Sequence, residues 1–503
     1  MKLASPVSRA RRLTAVCLLL LVAALLALPG ADLQVYPVDP WQELARIGLG
    51  LLQPAWHDGG SLLEALLHTI AFALLAVALA APLGLLLAMQ FHRRLLRLLC
   101  AAVRSVHELF WALIFMQVFG LGPLTGLLAI LLPFTGVFAK VFAEIIDQQQ
   151  PLPGSLPAAT GRLAGYAYYR IPLAWPALAS YTRYRFECAL RSSAILGFIG
   201  LPTLGFHLET AFRQGQYAEA GALLWLFLLL IAGMRFWLRP RLLPLYLPAA
   251  VFCLPEAIGF SSGGSLWRFV SQDIWPQPLR DGNWPALLDW LRMMASEQVW
   301  PALLQTLLLT QIAVALTGVL ALACYPLASR ALAGPWLRWP GRFLLLALRS
   351  TPEMVLAWVL LLLFGPSGLP AVLALALHNG GLIAFLLANA SDAEQRSRLA
   401  RPDDPTGLKR FAYVETPRRL PAMLALLFYR WEVILRESAI LGILGVATLG
   451  FYIDSAFEEI RYDRALLLIA VSALLNMLID SLSRRLRRLA GEPGQLSATP
   501  AAR

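Results

Sequence analysis

Apolar runs of about 20 residues, the length that crosses a hydrocarbon layer of roughly 30 Å, recur along the chain. They fall near 13–29, 62–89, 105–119, 124–143, 177–206, 218–238, 242–259, 301–328, 350–364, 369–390, 422–451 and 464–482. Lipid offers no partner to unpaired backbone N–H and C=O groups, so runs of this length predict helices. The expectation is an all-α integral membrane protein of about 12 transmembrane helices, with some of the runs short or interrupted by Gly and Pro.

The runs repeat as a set. The stretch Tyr184 to Gly205 reappears as Tyr429 to Gly450, an offset of 245 residues, with Arg191/Arg436, Ser193/Ser438, Gly197/Gly442, Gly200/Gly445 and Thr203/Thr448 in register. The same offset aligns Arg104 and Ser105 with Arg349 and Ser350, Glu108 with Glu353, Phe119 and Gly120 with Phe364 and Gly365, and Pro176 and Ala177 with Pro421 and Ala422. A repeat this long is a whole domain and not a solenoid unit, so one chain carries what a homodimer would supply from two. Two parallel repeats of six helices are expected, residues 1–238 and 239–490, with 491–503 as a disordered cytoplasmic tail. A pseudo-twofold pore follows as the first hypothesis.

Composition agrees with the lipid reading: hydrophobic residues are 58% and charged residues 14% of the chain, against roughly 45–50% and about 25% in soluble domains. The formal net charge of +12 says more by position than by sum. Arg9, Arg11 and Arg12 precede the first run; Arg93, Arg94 and Arg97 follow the second; Arg162, Arg170 and Arg183 follow the fourth; Arg235, Arg239 and Arg241 join the sixth to the seventh; Arg484, Arg485 and Arg487 close the last. These alternate loops are cytoplasmic by the positive-inside rule, with both termini. The long loops at 30–60 and 260–300, rich in Trp and Pro, read as external. The bilayer is thus the surrounding partner, and no nucleic-acid partner is expected, since the Arg residues flank apolar spans and form no groove interleaved with aromatics. A basic start, an apolar run and Gly30-Ala31 also fit a cleaved signal peptide. The matching entry run at 242–259 favours a retained anchor.

Candidate chemistry is sparse. Cys17, Cys100, Cys188, Cys253 and Cys324 show no metal-ligand spacing, and no His pairs with another at helical spacing, so no metal site and no cofactor are expected. There is no Gly-x-x-x-x-Gly-Lys-Ser/Thr loop, and the lysines are Lys2, Lys140 and Lys409. The chain is not expected to hydrolyse ATP itself, or to be an enzyme of another kind.

The loop after the fourth run carries the sharpest signal. It has Ala158-Ala159, Gly161, Ile171, Pro172 and Pro176, within a segment taken as 151–176. Small residues there let backbones approach closely, and prolines end helices and turn the chain. This spacing resembles the coupling loop of ATP-binding-cassette importer permeases. Arg104 to Ala112, Gly120 to Gly126, Lys140 to Glu144, and Ser180 to Glu187 running into Arg191 to Gly200 resemble the permeases of phosphonate-type importers in order. The resemblance covers most of 60–238 and, more loosely, 300–485. It implies a bacterial inner-membrane subunit, working with cytoplasmic ATPase subunits and an external binding protein, that moves an oxyanion such as phosphonate, phosphite or phosphate. Coupling would rest on Ala158, Ala159, Gly161 and Ile171, and in the second half on Gly407 and Ala412 of the loop 396–421. The family's Glu before the Ala pair is Pro157 here, the second loop lacks the Ala pair, and the family's glycine-rich stretch has become Gly200 to Gly205 and Gly445 to Gly450. Those departures put equal docking of the two halves and the substrate in question. A secondary carrier with parallel repeats is the other reading.

Within the runs, Arg104 and Glu108, Glu187 and Arg191, Arg349 and Glu353, and Glu432 and Arg436 stand four apart and are expected to pair along one helix face. An anion would be met by hydroxyls, glycine N–H groups and helix N-termini. The candidates are Ser192, Ser193, Gly197, Gly200, Thr203, Ser438, Gly442, Gly445 and Thr448; close helix packing is the competing role for each.

Overall fold

The computed structural model describes residues 6–36, 39–56, 59–148, 161–256, 263–330, 332–397, 405, 407–443 and 445–489. Ala158, Ala159, the beginnings of both coupling loops and the tail expected at 491–503 lie outside the described residues. The described residues are helical, with no strand among them. Among the described residues, six helices are long and apolar enough to cross a membrane, or up to nine if each sharply bent pair counts as one span.

The chain opens with α1 (Pro6–Ala27) and α2 (Pro40–Leu52). The unit drawn from Gln53–Phe269 holds α3 (Gly59–Ala88), α4 (Arg94–Ser105), α5 (Glu108–Phe119), α6 (Pro123–Asp147), α7 (Ile171–Ile195), α8 (Leu204–Arg213), α9 (Tyr217–Ala232) and α10 (Leu243–Phe252). Its core forms where α3, α6 and α7 meet, around the fully buried Phe72, Ile130, Phe134, Phe138 and Leu190. A side chain at Gly84 of α3 would run into Phe138 and Ala139 of α6, so the two backbones touch where that glycine stands.

The other unit combines α1 and α2 with α11 (Trp284–Met294), α12 (Trp300–Ala328), α13 (Pro335–Ser350), α14 (Glu353–Phe364), α15 (Gly368–Ser397), α16 (Thr416–Glu437), α17 (Leu449–Glu458) and α18 (Tyr462–Leu489). Leu309, Val314 and Tyr325 of α12 pack with Val372, Ile383 and Leu387 of α15 and Phe428 of α16, and Leu13 and Leu20 of α1 join the same cluster. Gln311 of α12 donates to the Leu20 carbonyl at 3.3 Å. Sequence repeat and compact unit therefore do not coincide. The entry helix α1, from residues 1–238, packs along one side with residues of 239–490, and α10, from residues 239–490, packs on α3 of 1–238. The expected span at 242–259 is, in its described part, a helix of ten residues.

Two expected spans are not straight. Between α4 and α5 the axis turns by 90° around Val106 and His107, and between α13 and α14 by 100° around Thr351 and Pro352. His107 is extended and its Nδ1 accepts the Leu109 N–H at 3.1 Å, while Pro352 has no N–H to continue α13. Arg104 and Glu108 thus stand on two different helices, as do Arg349 and Glu353. The expectation of four-residue pairs along one helix face fails for these two.

Candidate functional site

The longest repeated stretch folds the same way twice. In the first half α7 ends in a tight turn over Leu196–Ile199, Gly200 takes a left-handed φ of 94°, and extended Thr203 starts α8. In the second half Gly445 has φ 82° and extended Thr448 starts α17. Only glycine adopts such a φ without a penalty of about 1–2 kcal/mol. Gly197 and Gly442 do different work. A Cβ at Gly197 would collide with the backbone of Gly205 and Phe206, and one at Gly442 with Gly450 and Phe451. These two are packing positions that let the re-entering helix lie against the one before it.

The predicted hydroxyls divide in the same way. Ser193 donates to Leu190 O at 2.8 Å and Ser438 to Leu435 O at 2.6 Å, each to the carbonyl three residues before it, and Ser192 is buried. Thr203 and Thr448 are both fully buried. Thr203 Oγ1 makes no hydrogen bond among the described residues, and Thr448 Oγ1 reaches Val446 O at 3.3 Å. In this conformation neither hydroxyl meets an open path.

Sequence reasoning missed the residues that hold these turns. Thr69 Oγ1 accepts the Leu204 N–H at 2.9 Å and donates to Ala65 O at 2.8 Å; Thr306 Oγ1 accepts the Leu449 N–H at 3.0 Å and donates to Ala302 O at 2.7 Å. Each threonine satisfies an N–H left orphaned at a helix start. The signal was there in the matched Ala-x-x-x-Thr spacing, but single hydroxyls inside apolar runs read as packing.

The second candidate surface is the coupling segment. Gly161 and Gly407 each open a short helix, Arg162–Gly165 and Gly407–Arg410, followed by wide π-type turns over Tyr166–Arg170 and Phe411–Glu415 that lead into α7 and α16. Gly161 is exposed, and a Cβ there would meet nothing; the left-handed residue is Gly407, φ 59°. Ile171 is half-buried and Ala412 exposed. Large apolar side chains stand out at matched positions: Leu163 is 70% and Leu408 80% exposed, Tyr168 86% and Tyr413 80%.

What anchors the two segments differs. In the first, Arg170 lies 3.9 Å from Asp147, both accessible to solvent. In the second, the residue matching Arg170 is Glu415, which is buried. It accepts from Ser391 at 3.0 Å and pairs with Arg410 at 3.7 Å and Arg419 at 3.6 Å. Ser391 also meets Ser329 at 3.2 Å, and next to it buried Asp392 accepts from the Arg330 backbone at 2.7 Å and from the Arg342 guanidinium at 2.8 Å.

The remaining ionisable residues sit in the helices. Glu187 and Arg191 lie one turn apart on α7 and are buried; Glu432 and Arg436 repeat the spacing on α16. Glu108 and Glu353 occupy the first turns of α5 and α14, where the helix dipole favours a carboxylate. His378 Nε2 stands 2.9 Å from Glu353, and its Nδ1 faces the Leu348 and Thr351 carbonyls at 3.1 Å each.

Two matched sets of helix, glycine turn and following helix, each preceded by an exposed loop helix, stand among several helices long and apolar enough to cross a membrane. The chain belongs to the permease family of ATP-binding-cassette importers, in the branch of its phosphonate, phosphite and phosphate types. Residues 319–490 match the family described as "Binding-protein-dependent transport system inner membrane component". The chain is 27% identical to the phosphate-import permease protein PhnE of Mycolicibacterium smegmatis over 90% of both chains. It is 30% identical to the phosphite transport system permease protein PtxC of Stutzerimonas stutzeri, over 37% of this chain and 72% of that one. It is 32% identical to the cryptic phosphonate permease PhnE2 of Escherichia coli, over 22% of this chain and 92% of that one.

Proposed function

We propose that the chain is a membrane subunit of an ATP-driven importer, two permease repeats of about six helices each in one polypeptide, moving a phosphonate, phosphite or phosphate oxyanion across the bacterial inner membrane by alternating access. Both termini face the cytoplasm, separate ATPase subunits dock there, and an external binding protein delivers the anion. The observation that carries this is the pair of matched exposed side chains, Leu163 and Tyr168 in one half and Leu408 and Tyr413 in the other. Large apolar groups held out on short loop helices are the anchors a protein partner buries. They extend beyond Gly161, Ile171, Gly407 and Ala412, with Ala158 and Ala159, as the coupling surface. Ser192, Ser193, Gly200, Thr203, Ser438, Gly445 and Thr448 are assigned to the transport path, with Gly197 and Gly442 supporting its turns.

Purification of the full chain in mild detergent is expected to bring an ATPase subunit along, and Leu163→Asp with Tyr168→Asp is expected to lose it while the chain stays in the membrane. An ATPase that never co-purifies, with uptake driven by an ion gradient instead, would replace this reading with that of a secondary carrier.

A further inference from the structure

A buried charge inside a helical bundle needs counterparts, and one edge of the Arg430 guanidinium on α16 is left without a hydrogen bond among the described residues. It is 7% exposed, and its Nε and Nη2 make no hydrogen bond among the described residues. Those two nitrogens form the edge of a guanidinium that grips an oxyanion with two parallel hydrogen bonds. The matching residue in the first half, Arg185, lies over the Phe134 ring, 4.1 Å from its centre. In the second half the position of Phe134 is taken by Asn379, so the ring that covers one arginine is an amide beside the other.

Asn379 is itself fully buried and half used. Its Nδ2 donates to Leu375 O at 2.9 Å and to Glu437 Oε2 at 3.2 Å, and its Oδ1 is unpartnered among the described residues. Glu437, the last residue of α16, stands where the first half has Ser192. Arg430 and Glu437 are seven residues apart, which places them on one helix face about 10 Å apart along the axis. A guanidinium and a carboxylate at that spacing can both reach one tetrahedral anion. The charged groups acting on Glu437 are Glu353, Arg430 and Arg436, and Glu353 is already engaged by His378 at 2.9 Å.

We infer that Arg430, Asn379 and Glu437 form an oxyanion site in the second half, specific for a tetrahedral anion that keeps a P–OH proton. It rests on the importer reading above. The Arg430 edge binds two ionised oxygens, and Asn379 Oδ1 or the Glu437 carboxylate accepts the P–OH. Sulfate, which has no proton to give at neutral pH, presents only lone pairs to those acceptors and is repelled, so selectivity comes from a clash as much as from a contact. The first half, with Phe134 and Ser192 in these places, has no such site.

The test is uptake of radiolabelled inorganic phosphate, phosphite and methylphosphonate by cells carrying the full chain with its ATPase and binding protein, with the amount of chain in the membrane measured alongside. Arg430→Lys keeps the charge and loses the fork; it is expected to cut uptake at least tenfold, and Arg185→Lys less than threefold. Glu437→Ser removes one acceptor of the site and is expected to lower phosphate uptake about fivefold while sulfate competes at a tenfold lower concentration than in the parent. With purified full chain, 10 mM phosphate is expected to raise the melting temperature of the parent and not of Arg430→Lys, a readout independent of the partner subunits. Equal losses at Arg430 and Arg185, or unchanged sulfate competition in Glu437→Ser, would overturn the site while leaving the importer standing. A parent chain that moves none of the three anions overturns both.

Discussion

The hydroxyl of Thr69 bridges two helices: it accepts the backbone N–H of Leu204 at 2.9 Å while donating to Ala65 of its own helix. Thr306 repeats the bridge to Leu449 in the other half. Because this hydroxyl is what accepts those buried N–H groups among the described residues, replacing it by a methyl strands a donor, at a cost of about 1–3 kcal/mol. Thr69→Val and Thr306→Val are each expected to lower the melting temperature of the purified protein, and Thr→Ser at either site to keep it near the parent. A Val variant as stable as its Ser counterpart would show that the bridge does not hold the turn.

Glycine positions in the repeated stretch separate into two kinds. Gly205→Ala and Gly450→Ala push a Cβ into the backbone carbonyl of Ala194 or Ala439, which no rotamer relieves, so little folded protein is expected in the membrane. A Cβ at Gly200 stands 3.5 Å from Leu121 and one at Gly445 meets nothing, so alanine there adds only the left-handed penalty of about 1–2 kcal/mol. Fluorescence-detected size exclusion of the four variants in one detergent distinguishes the two outcomes.

In the coupling segments the glycine with left-handed backbone is Gly407 and not Gly161. Gly161→Ala fits open space without left-handed backbone and is expected to be silent in stability, whereas Gly407→Ala carries about 1 kcal/mol of backbone cost. Proteolysis of the exposed segments in membranes is expected to speed up in Gly407→Ala alone. Faster cleavage of the Gly161 variant would mean that its turn depends on glycine after all.

The two halves should also differ in their response to losing one carboxylate. Asp392 is buried beneath arginines that keep part of their surface in water, so Asp392→Asn is expected to cost about 2 kcal/mol, below the 3–5 typical of a fully buried pair. Asp147 is 78% exposed on its side chain, and Asp147→Asn is expected to change stability little. Equal melting temperatures of the two variants would remove the asymmetry between the coupling segments.

Topology gives the simplest check. Gly161→Cys and Gly407→Cys, both at exposed positions, are expected to react with an impermeant maleimide only in inside-out vesicles. Labelling from the outside would invert the orientation drawn from the arginine clusters.

Much of this protein is written along the chain. Runs of about 20 apolar residues leave helix as the one backbone state that lipid permits, and a duplicated sequence with matched Gly, Thr and Glu positions makes duplicated turns. Exposed Leu163 and Leu408, and exposed Tyr168 and Tyr413, are each 245 positions apart, the offset that aligns the other matched stretches. Tertiary structure decided what periodicity cannot carry. Arg104 and Glu108 keep helical spacing in sequence, yet His107 and Pro352 break the helices between the matched pairs, because local hydrogen bonding and a missing N–H outweigh four-residue spacing. The apolar sequence of α1 names no partner, and tertiary packing places its Leu13 and Leu20 in one cluster with Leu309 and Val314. Asn379 and Glu437 are 58 positions apart and are hydrogen-bonded because α15 lies against α16. Contact across such a distance depends on how whole helices fit together, which no short-range pattern of residues encodes.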